Sequence, residues 1–270
     1  FFMLIILLGF SFFKGNFQAA FNFLFSFNLD ALSWRGVLEA MGQAFFTLSI
    51  GMGAIMAYGA YMPQEANIGK TVLIVAFFDS AVAIISGLII FSIVFATPGL
   101  EPSAGPGLMF ISLPVAFGSI PGGLLIGATF FILVSIAAWS SAISLLEPCV
   151  AWLMELKNLS RAKANLVIIL ITWALGLGSV FSFNIWSNYT FMGFNFFDFL
   201  DFLTANIMLP ISGLFITLFV AYVIKSEIVS FEMQGTSDAV LKLWSIAIRY
   251  IAPFAITLVF IMGVYDKFFS

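Results

Sequence analysis

Long apolar runs, separated by shorter polar or Gly/Pro-rich connections, dominate the chain. Six of these runs are long enough to cross a bilayer, because a spanning helix needs roughly 20 predominantly apolar residues. They lie at about Met41–Tyr61, Thr71–Ala96, Leu124–Met154, Asn165–Trp186, Phe199–Ile224 and Leu243–Tyr265. The shorter apolar run at 1–13 is interpreted as the end of a further span. The pattern therefore predicts an all-α, polytopic membrane protein.

Composition supports this class and excludes others. Hydrophobic residues make up 62% of the chain and charged residues 9%, whereas a soluble domain is about half apolar and a quarter charged. The net charge of −3 argues against a nucleic-acid partner. Without histidine the chain lacks the commonest general base, so the span hydroxyls have no histidine to activate them and we expect no enzyme. The apolar start has no basic region typical of a signal peptide, and we expect the chain to begin within a helix.

Lysine and arginine predict the orientation in the membrane. The connection 155–164 contains Lys157, Arg161 and Lys163, whereas 97–123 and 187–198 contain neither residue type. Basic connections stay in the cytoplasm, which predicts a multi-pass protein of the plasma (inner) membrane with 97–123 outside. Apolar residues between the prolines of 97–123 favour short packed helices that form a lid. An ordinary structured loop is an equally weighted alternative.

The stretch "FTLSIGMGA", Phe46–Ala54, interrupts the first full apolar run with Thr, Ser and two glycines. Gly51 and Gly53 would leave backbone groups without helical partners, and such backbone is tolerated at membrane depth only where it lines a cavity or is buried in protein. Carbonyls freed at a half-helix C-terminus are suitable ligands for a small cation. The alternative is a packing notch for a neighbouring helix, of the kind that small residues make.

Two carboxylates and a serine cluster also lie inside apolar runs. Asp79 is favoured as a functional residue, since charges within spans by default face a cavity or a partner. Glu147 is interpreted first as a structural partner of a neighbouring helix. Ser140 and Ser141 could supply hard oxygen ligands to Na⁺, although hydrogen bonding to the helix backbone is the common role of such hydroxyls and could account for Ser144.

Four segments carry a resemblance to a known family. "GQAFFTLSIGMGAIMAYGAY", "FFDSAVAIISGL", "AAWSSAISLLEP" and "FFDFLDFLTANIMLP" resemble the sixth, seventh, eighth and the start of the tenth helix of the neurotransmitter:sodium symporter family, specifically its bacterial amino-acid members. This family is itself a standard example of broken-helix binding sites in inverted repeats. The resemblance implies the leucine-transporter-like fold, with this chain supplying the second inverted repeat.

The resemblance also implies how the chain is divided. It would be a single transmembrane domain, 1–270, that lacks the first four helices and is therefore a fragment. The expected elements are the end of helix 5 at 1–13, broken helix 6 at 36–62, helix 7 at 71–96, the lid at 97–123, helix 8 at 124–154, helix 9 at 165–186, helix 10 at 199–225 and helix 11 at 243–266.

Site residues are carried over position by position from the resemblance. The expected substrate-binding residues are Phe46, Thr47, Ser49, Met52, Ser141 and Leu145. The expected sodium ligands are Thr47, Asp79, the carbonyl of Ala137, Ser140 and Ser141. The expected gate residues are Asp201 on the outside, Tyr61 on the inside, and Gln43. Because methionine adapts to different shapes, Met52 and Leu145 favour a broad range of apolar amino-acid substrates.

The function that follows is sodium-coupled symport of amino acids by alternating access, with Na⁺ as coupling ion and no other cofactor. Substrate, sodium and the lipid bilayer are the expected partners, and the sequence assigns no oligomeric state. Asp79 is hypothesised to ligate sodium and also to supply the fixed negative charge that chloride supplies in animal relatives. The alternatives are a proton-coupled or exchange carrier of the same fold, and a non-transporting structural or regulatory membrane half-protein.

Overall fold

A computed structural model describes residues 1–26, 32–63, 66–102, 105–233 and 235–269. Within these ranges the regular secondary structure is helical, apart from one isolated β-bridge between Phe191 and Phe194. The predicted all-α class is therefore confirmed. Five described helices are long and apolar enough to span a membrane: Ile68–Phe95, Gly123–Lys157, Arg161–Ser182, Phe196–Tyr222 and Asp238–Tyr265.

The chain divides into two compact units. Unit 1 comprises Phe1–Leu32 and Ile74–Ala142, and unit 2 comprises Ser33–Leu73 and Ile143–Ser270. The divisions fall within two long helices, α5 (Ile68–Phe95) and α7 (Gly123–Lys157), which each contribute a segment to both units.

Unit 1 begins with two helices that meet at a sharp bend. α1 (Phe2–Lys14) and α2 (Phe17–Phe25) are bent by 108°. Asn16 caps α2 by accepting the Ala19 N–H on its side chain, and its own N–H donates to the Ser92 carbonyl at 2.8 Å. The bend is therefore stabilised by a helix cap and by a hydrogen bond to α5.

The core of unit 1 is formed by α1, α5, α7 and a short helix in the predicted lid. This helix is α6 (Leu113–Ser119), preceded by a π-helical turn at Leu108–Ser112. The apolar core residues are Leu7, Ile89, Ile93, Val94, Leu113, Ala116, Phe117 and Phe130. The connection 97–123 thus contains a helix whose apolar face is buried.

Unit 2 contains the remaining helices. They are α3 (Trp34–Thr47), α4 (Ala54–Ala60), α8 (Arg161–Ser182), α9 (Phe196–Asp201), α10 (Leu209–Tyr222), α11 (Ser226–Glu232), α12 (Asp238–Ile246) and α13 (Ala252–Phe269). π-helical turns join α9 to α10 and α12 to α13, so each pair continues as one apolar span. Ser33 caps α3 by accepting the Gly36 N–H at 3.0 Å.

Large apolar side chains project outward from the long helices. Leu73, Phe215 and Leu243 are each about 70% exposed, which would be costly in water. Lipid is the solvent that such surfaces require, and the protein is therefore a multi-pass membrane protein.

Candidate functional site

The interruption predicted at Gly51 and Gly53 separates α3 from α4. Ser49, Gly51 and Gly53 have φ values of 54°, 85° and 81°, so every second residue is in the left-handed region. At the end of α3, the Leu48 N–H donates to the Ala44 carbonyl and the Ser49 N–H donates to the Phe46 carbonyl. Helical hydrogen bonding resumes where the Ala57 N–H donates to the Gly53 carbonyl. Residues 48–53 are therefore ordered non-helical backbone between two short helices.

Close backbone packing surrounds this segment in unit 2. A Cβ on Gly51 would lie 2.7 Å from the Leu209 carbonyl oxygen and 3.1 Å from the Gly213 nitrogen of α10. A Cβ on Gly53 would lie 3.5 Å from the Pro148 ring of α7. Position 51 therefore requires glycine for two reasons. Its φ is positive, and another backbone lies so close that a side chain would not fit.

A cavity of about 560 Å³ lies within unit 2 beside α3. Three residues expected to form the site, Gln43, Phe46 and Asp201, line it together with Glu39 and Asn206. Its volume is in the range of small-molecule sites, and polar groups are few among apolar walls, as is usual for such sites. The structure thus brings two expected gate residues and one expected substrate residue to one cavity.

A polar network lies at the opposite end of the broken helix. The Tyr61 hydroxyl donates to Glu147 Oε1 at 3.2 Å, and Arg161 pairs with Glu147 Oε2 at 2.6 Å. Tyr58 and Ser144 are hydrogen-bonded through their hydroxyls. Glu147 therefore has the structural partner on a neighbouring helix that was favoured for it. Tyr61, expected at an inner gate, contacts this carboxylate.

Four of the expected sodium ligands belong to unit 1. Asp79 is half-buried on α5, and Ala137, Ser140 and Ser141 lie on α7. The Ser140 hydroxyl donates to the Ala137 carbonyl at 2.8 Å, which is the backbone bond common for hydroxyls in membrane helices. Two expected ligand oxygens are therefore adjacent within one turn of α7.

The other expected residues belong to unit 2. Thr47 is the last residue of α3, whereas Ser49 and Met52 lie in the interruption and Leu145 lies on α7. Ser49 and Met52 are half-buried, and Thr47 and Leu145 are exposed. The interrupted segment thus carries two expected substrate-binding side chains, and Thr47, which is expected to bind both sodium and substrate, immediately precedes it.

Three residues of these arrangements were not predicted. Arg161 lies on α8 and its partner Glu147 lies on α7. Helical periodicity relates residues of one helix only, so it could not indicate this ion pair. Tyr58 was available as a signal, because it lies one turn before Tyr61 on the same face of α4. Asn206 was a further signal, as a polar amide within an apolar run.

The chain matches the sequence description of the sodium:neurotransmitter symporter family over residues 1–268. The chain belongs to this family. Members are named for sodium-dependent transport, and an interrupted helix with adjacent polar side chains is the expected form of an ion site in such transporters.

Two relatives are similar over most of this chain. An uncharacterized sodium-dependent transporter of Haemophilus influenzae is 32% identical over 227 residues, which are 83% of this chain and 49% of that protein. The transporter YhdH of Bacillus subtilis, also described as sodium-dependent, is 33% identical over 244 residues, or 89% of this chain and 54% of its own length. The chain thus spans about half the length of these two symporter-family members.

A solved structure of the same fold is also similar to this chain. It is MhsT in complex with L-phenylalanine, which matches with a TM-score of 0.86 and 42% sequence identity. The match covers 97% of this chain and 59% of MhsT. The predicted leucine-transporter-like fold is therefore confirmed for this chain.

Proposed function

We propose that this chain works in sodium-coupled uptake of hydrophobic amino acids by alternating access, in the inner membrane. The observation that carries the proposal is the interrupted helix, in which Ser49, Gly51 and Gly53 all have positive φ. Such backbone persists at membrane depth because its polar groups face a cavity or buried partners, and it presents carbonyls to an ion. L-phenylalanine in the similar MhsT structure supports an amino acid as the substrate.

Sodium coordination is assigned to hard oxygen atoms. The proposed ligands, carried over from the resemblance, are Thr47, Asp79, the Ala137 carbonyl, Ser140 and Ser141. The Ser140–Ala137 hydrogen bond of 2.8 Å holds a hydroxyl and a carbonyl side by side. A sodium ion at this position would be bound through a lone pair of each oxygen, and the Ser140 hydroxyl would keep its proton and turn it away from the Ala137 carbonyl. The names of the sodium-dependent relatives support Na⁺ as the coupling ion.

Substrate recognition is assigned to Phe46, Thr47, Ser49, Met52, Ser141 and Leu145. Met52 and Leu145 provide flexible apolar surface, which suits large apolar side chains of several shapes. The Phe46 ring is 48% exposed and lines the 560 Å³ cavity, so it can cover a bound substrate from that side. Asp201 and Gln43 line the same cavity and are proposed as outer gate residues.

The test is equilibrium binding of radiolabelled L-phenylalanine to a chimera. The chimera joins the part of MhsT that this chain does not match to the complete chain, and it is chosen because the matched parts are 42% identical. A monodisperse profile on size-exclusion chromatography establishes that it is folded. We expect binding in Na⁺ that is lost when K⁺ replaces Na⁺. Competition should be effective with leucine and tryptophan and weak with glycine or GABA.

Three results would contradict the proposal. Binding that is equally tight in Na⁺ and K⁺ would remove sodium from the mechanism, and would favour a proton-coupled or exchange carrier. A clear preference for glycine or GABA would remove the assignment of Met52 and Leu145 as an apolar pocket. A folded chimera that binds no amino acid would favour a structural or regulatory role.

A further inference from the structure

A second cavity of unit 2, of about 540 Å³, lies in the connection between α8 and α9. The residues that line it are not among those assigned to transport above. Six aromatic side chains line it: Trp186, Tyr189, Phe191, Phe194, Phe196 and Phe199. Thr190 and Asn195 contribute the polar part of its wall. The volume falls within the range of small-molecule sites.

A tight turn makes the cavity wall rigid. The Phe191 N–H donates to the Phe194 carbonyl at 2.8 Å, and the Phe194 N–H donates back to Phe191 at 3.0 Å. Met192 and Gly193 between them both have positive φ, as in a type I′ turn. Phe194 is 4% exposed and its ring lies 5.0 Å from that of Phe202, so the turn is anchored in the packed interior of unit 2.

The rings stand at steep angles to one another around the cavity. Phe191 and Phe199 meet at 87° with centroids 5.6 Å apart, and Trp186 and Phe196 meet at 76° with centroids 6.4 Å apart. Rings at such angles have faces that point in different directions. The face of an aromatic ring carries partial negative charge and attracts a cation within about 6 Å of its centroid.

Charge in the surrounding sequence favours the same class of ligand. From Ala164 to Ile224 the chain contains no lysine or arginine, and Asp198 and Asp201 are its only charged residues. The net charge of this segment is therefore negative, which favours a ligand with a positively charged group. An alkylammonium group combines a diffuse positive charge with an apolar surface, and aromatic cages are the sites that bind it.

The position of the cavity identifies the source of that ammonium group. The connection follows α8 at Ser182 and precedes α9 at Phe196, so it lies where two membrane spans end. Aromatic residues at span ends lie at the level of the lipid headgroups. Tyr189 and Phe191 are 74% and 64% exposed, so the rim of the cavity is accessible.

We propose that this aromatic cavity binds the ammonium headgroup of a membrane phospholipid, with phosphocholine as the strongest ligand. Trp186, Tyr189 and Phe191 contact the ammonium. Thr190 and Asn195 donate hydrogen bonds to the phosphate. Asn195 Oδ1 accepts the Asp198 N–H at 2.8 Å, so its amide nitrogen is the group of that side chain with protons to donate.

The test is native mass spectrometry of the complete chain in detergent with phosphatidylcholine and phosphatidylglycerol of the same acyl chains. With equal amounts of both lipids, we expect phosphatidylcholine to be retained about fivefold more than phosphatidylglycerol. Trp186→Leu and Tyr189→Leu should each reduce that preference at least twofold. Tyr189 is mostly exposed, so its replacement leaves packing intact.

Trp173→Leu is the matched control, because Trp173 is 62% exposed on α8 and does not line the cavity. It should leave the preference unchanged. Equal retention of both lipids by the wild-type chain would overturn the proposal, and so would a preference that survives both cavity substitutions. Displacement of phosphatidylcholine by an equal concentration of soluble glycerophosphocholine would contradict a membrane lipid as the source.

Discussion

At the scale of single residues, the interrupted helix depends on glycines for different reasons. Gly51 combines a φ of 85° with a contact to the Leu209 carbonyl that leaves no space for a Cβ. Gly53 has a φ of 81°, but a Cβ there would meet Pro148 at an ordinary 3.5 Å. Gly51 is therefore required for steric as well as conformational reasons, whereas Gly53 is required for its conformation alone. Comparing alanine substitutions at the two positions separates the steric cost from the conformational cost.

We predict that Gly53→Ala lowers the free energy of unfolding by about 1–2 kcal/mol, the cost of a left-handed residue with a side chain. Gly51→Ala should cost roughly 1–3 kcal/mol more, because backbone must also shift. Gly59→Ala is the control, since Gly59 lies in α4 with nothing within 4 Å of its Cβ position, and it should stabilise slightly. Thermal unfolding in nanodiscs measures all three, and equal losses for Gly51→Ala and Gly53→Ala would contradict the packing.

The Glu147–Arg161 pair should couple more strongly than an ordinary surface pair. Glu147 Oε2 lies 2.6 Å from Arg161, its side chain is 22% exposed, and the same carboxylate accepts from Tyr61. A thermal double-mutant cycle with Glu147→Gln and Arg161→Gln measures this coupling. The Arg35–Glu39 pair, at 3.2 Å and more than half exposed on both sides, provides the control cycle and should be close to additive. Equal coupling in both cycles would make Glu147 an ordinary surface charge.

At the scale of helices, α3 and α10 approach closely enough to exclude a methyl group. A Cβ on Gly213 of α10 would lie 2.7 Å from the Phe45 ring of α3. This contact positions α3, whose residues Gln43 and Phe46 line the 560 Å³ cavity. The absence of a side chain at Gly213 therefore allows α3 to pack at the position where its residues line the cavity.

We predict that Gly213→Ala destabilises the protein by about 1–3 kcal/mol, the usual cost of overpacking. It should also weaken L-phenylalanine binding by the MhsT chimera, since α3 must shift. Gly176→Ala on α8 is the matched control, because nothing lies within 4 Å of its Cβ position, and it should leave binding unchanged. Full stability together with wild-type binding in Gly213→Ala would contradict this account of α3–α10 packing.

The positions of the helices were more predictable from the sequence than the long-range contacts between their side chains. The apolar run at 71–96 corresponds to the helix Ile68–Phe95, and that at 165–186 to Arg161–Ser182. The latter starts earlier than its apolar run because Arg161 and Lys163 occupy its first turn, where polar residues are common and hydropathy is low. Glycine pairs located the interruption for a similarly local reason, which is their tolerance of positive φ.

Tertiary partnerships were predictable only in part. The sequence indicated that Glu147 needs a partner but not that the partner is Arg161, because the pair is closed by the tertiary path of the α7–α8 connection. The aromatic cavity was missed because the turn between Phe191 and Phe194 brings dispersed rings together. Hydrophobic periodicity indicates which face of a helix a residue occupies, but it does not indicate which distant residue that face contacts.

At the scale of the whole molecule, the property to test is how the positive charge of bound sodium is balanced by a negative charge in the protein. Asp79 is the acid within the long helix Ile68–Phe95, and it is proposed to serve both as a sodium ligand and as a fixed anion. We predict that Asp79→Asn weakens sodium-dependent binding of L-phenylalanine by the chimera by about tenfold, or 1.4 kcal/mol. Added chloride should restore part of the loss.

Asp198→Asn controls for the loss of a carboxylate elsewhere, because Asp198 is not among the proposed ligands. Its binding should match that of the unmodified chimera with and without chloride. An Asp79→Asn chimera that binds normally in the absence of chloride would remove the proposed double role of Asp79.

Uptake by proteoliposomes containing the chimera tests the central claim most directly. Radiolabelled L-phenylalanine is followed under an inward Na⁺ gradient, under an inward proton gradient with K⁺ in place of Na⁺, and with no gradient. The account predicts accumulation above equilibrium under the Na⁺ gradient alone, and its loss in the Ser140→Ala/Ser141→Ala variant. Accumulation driven by the proton gradient, or sodium-driven accumulation that survives removal of both hydroxyls, would contradict it.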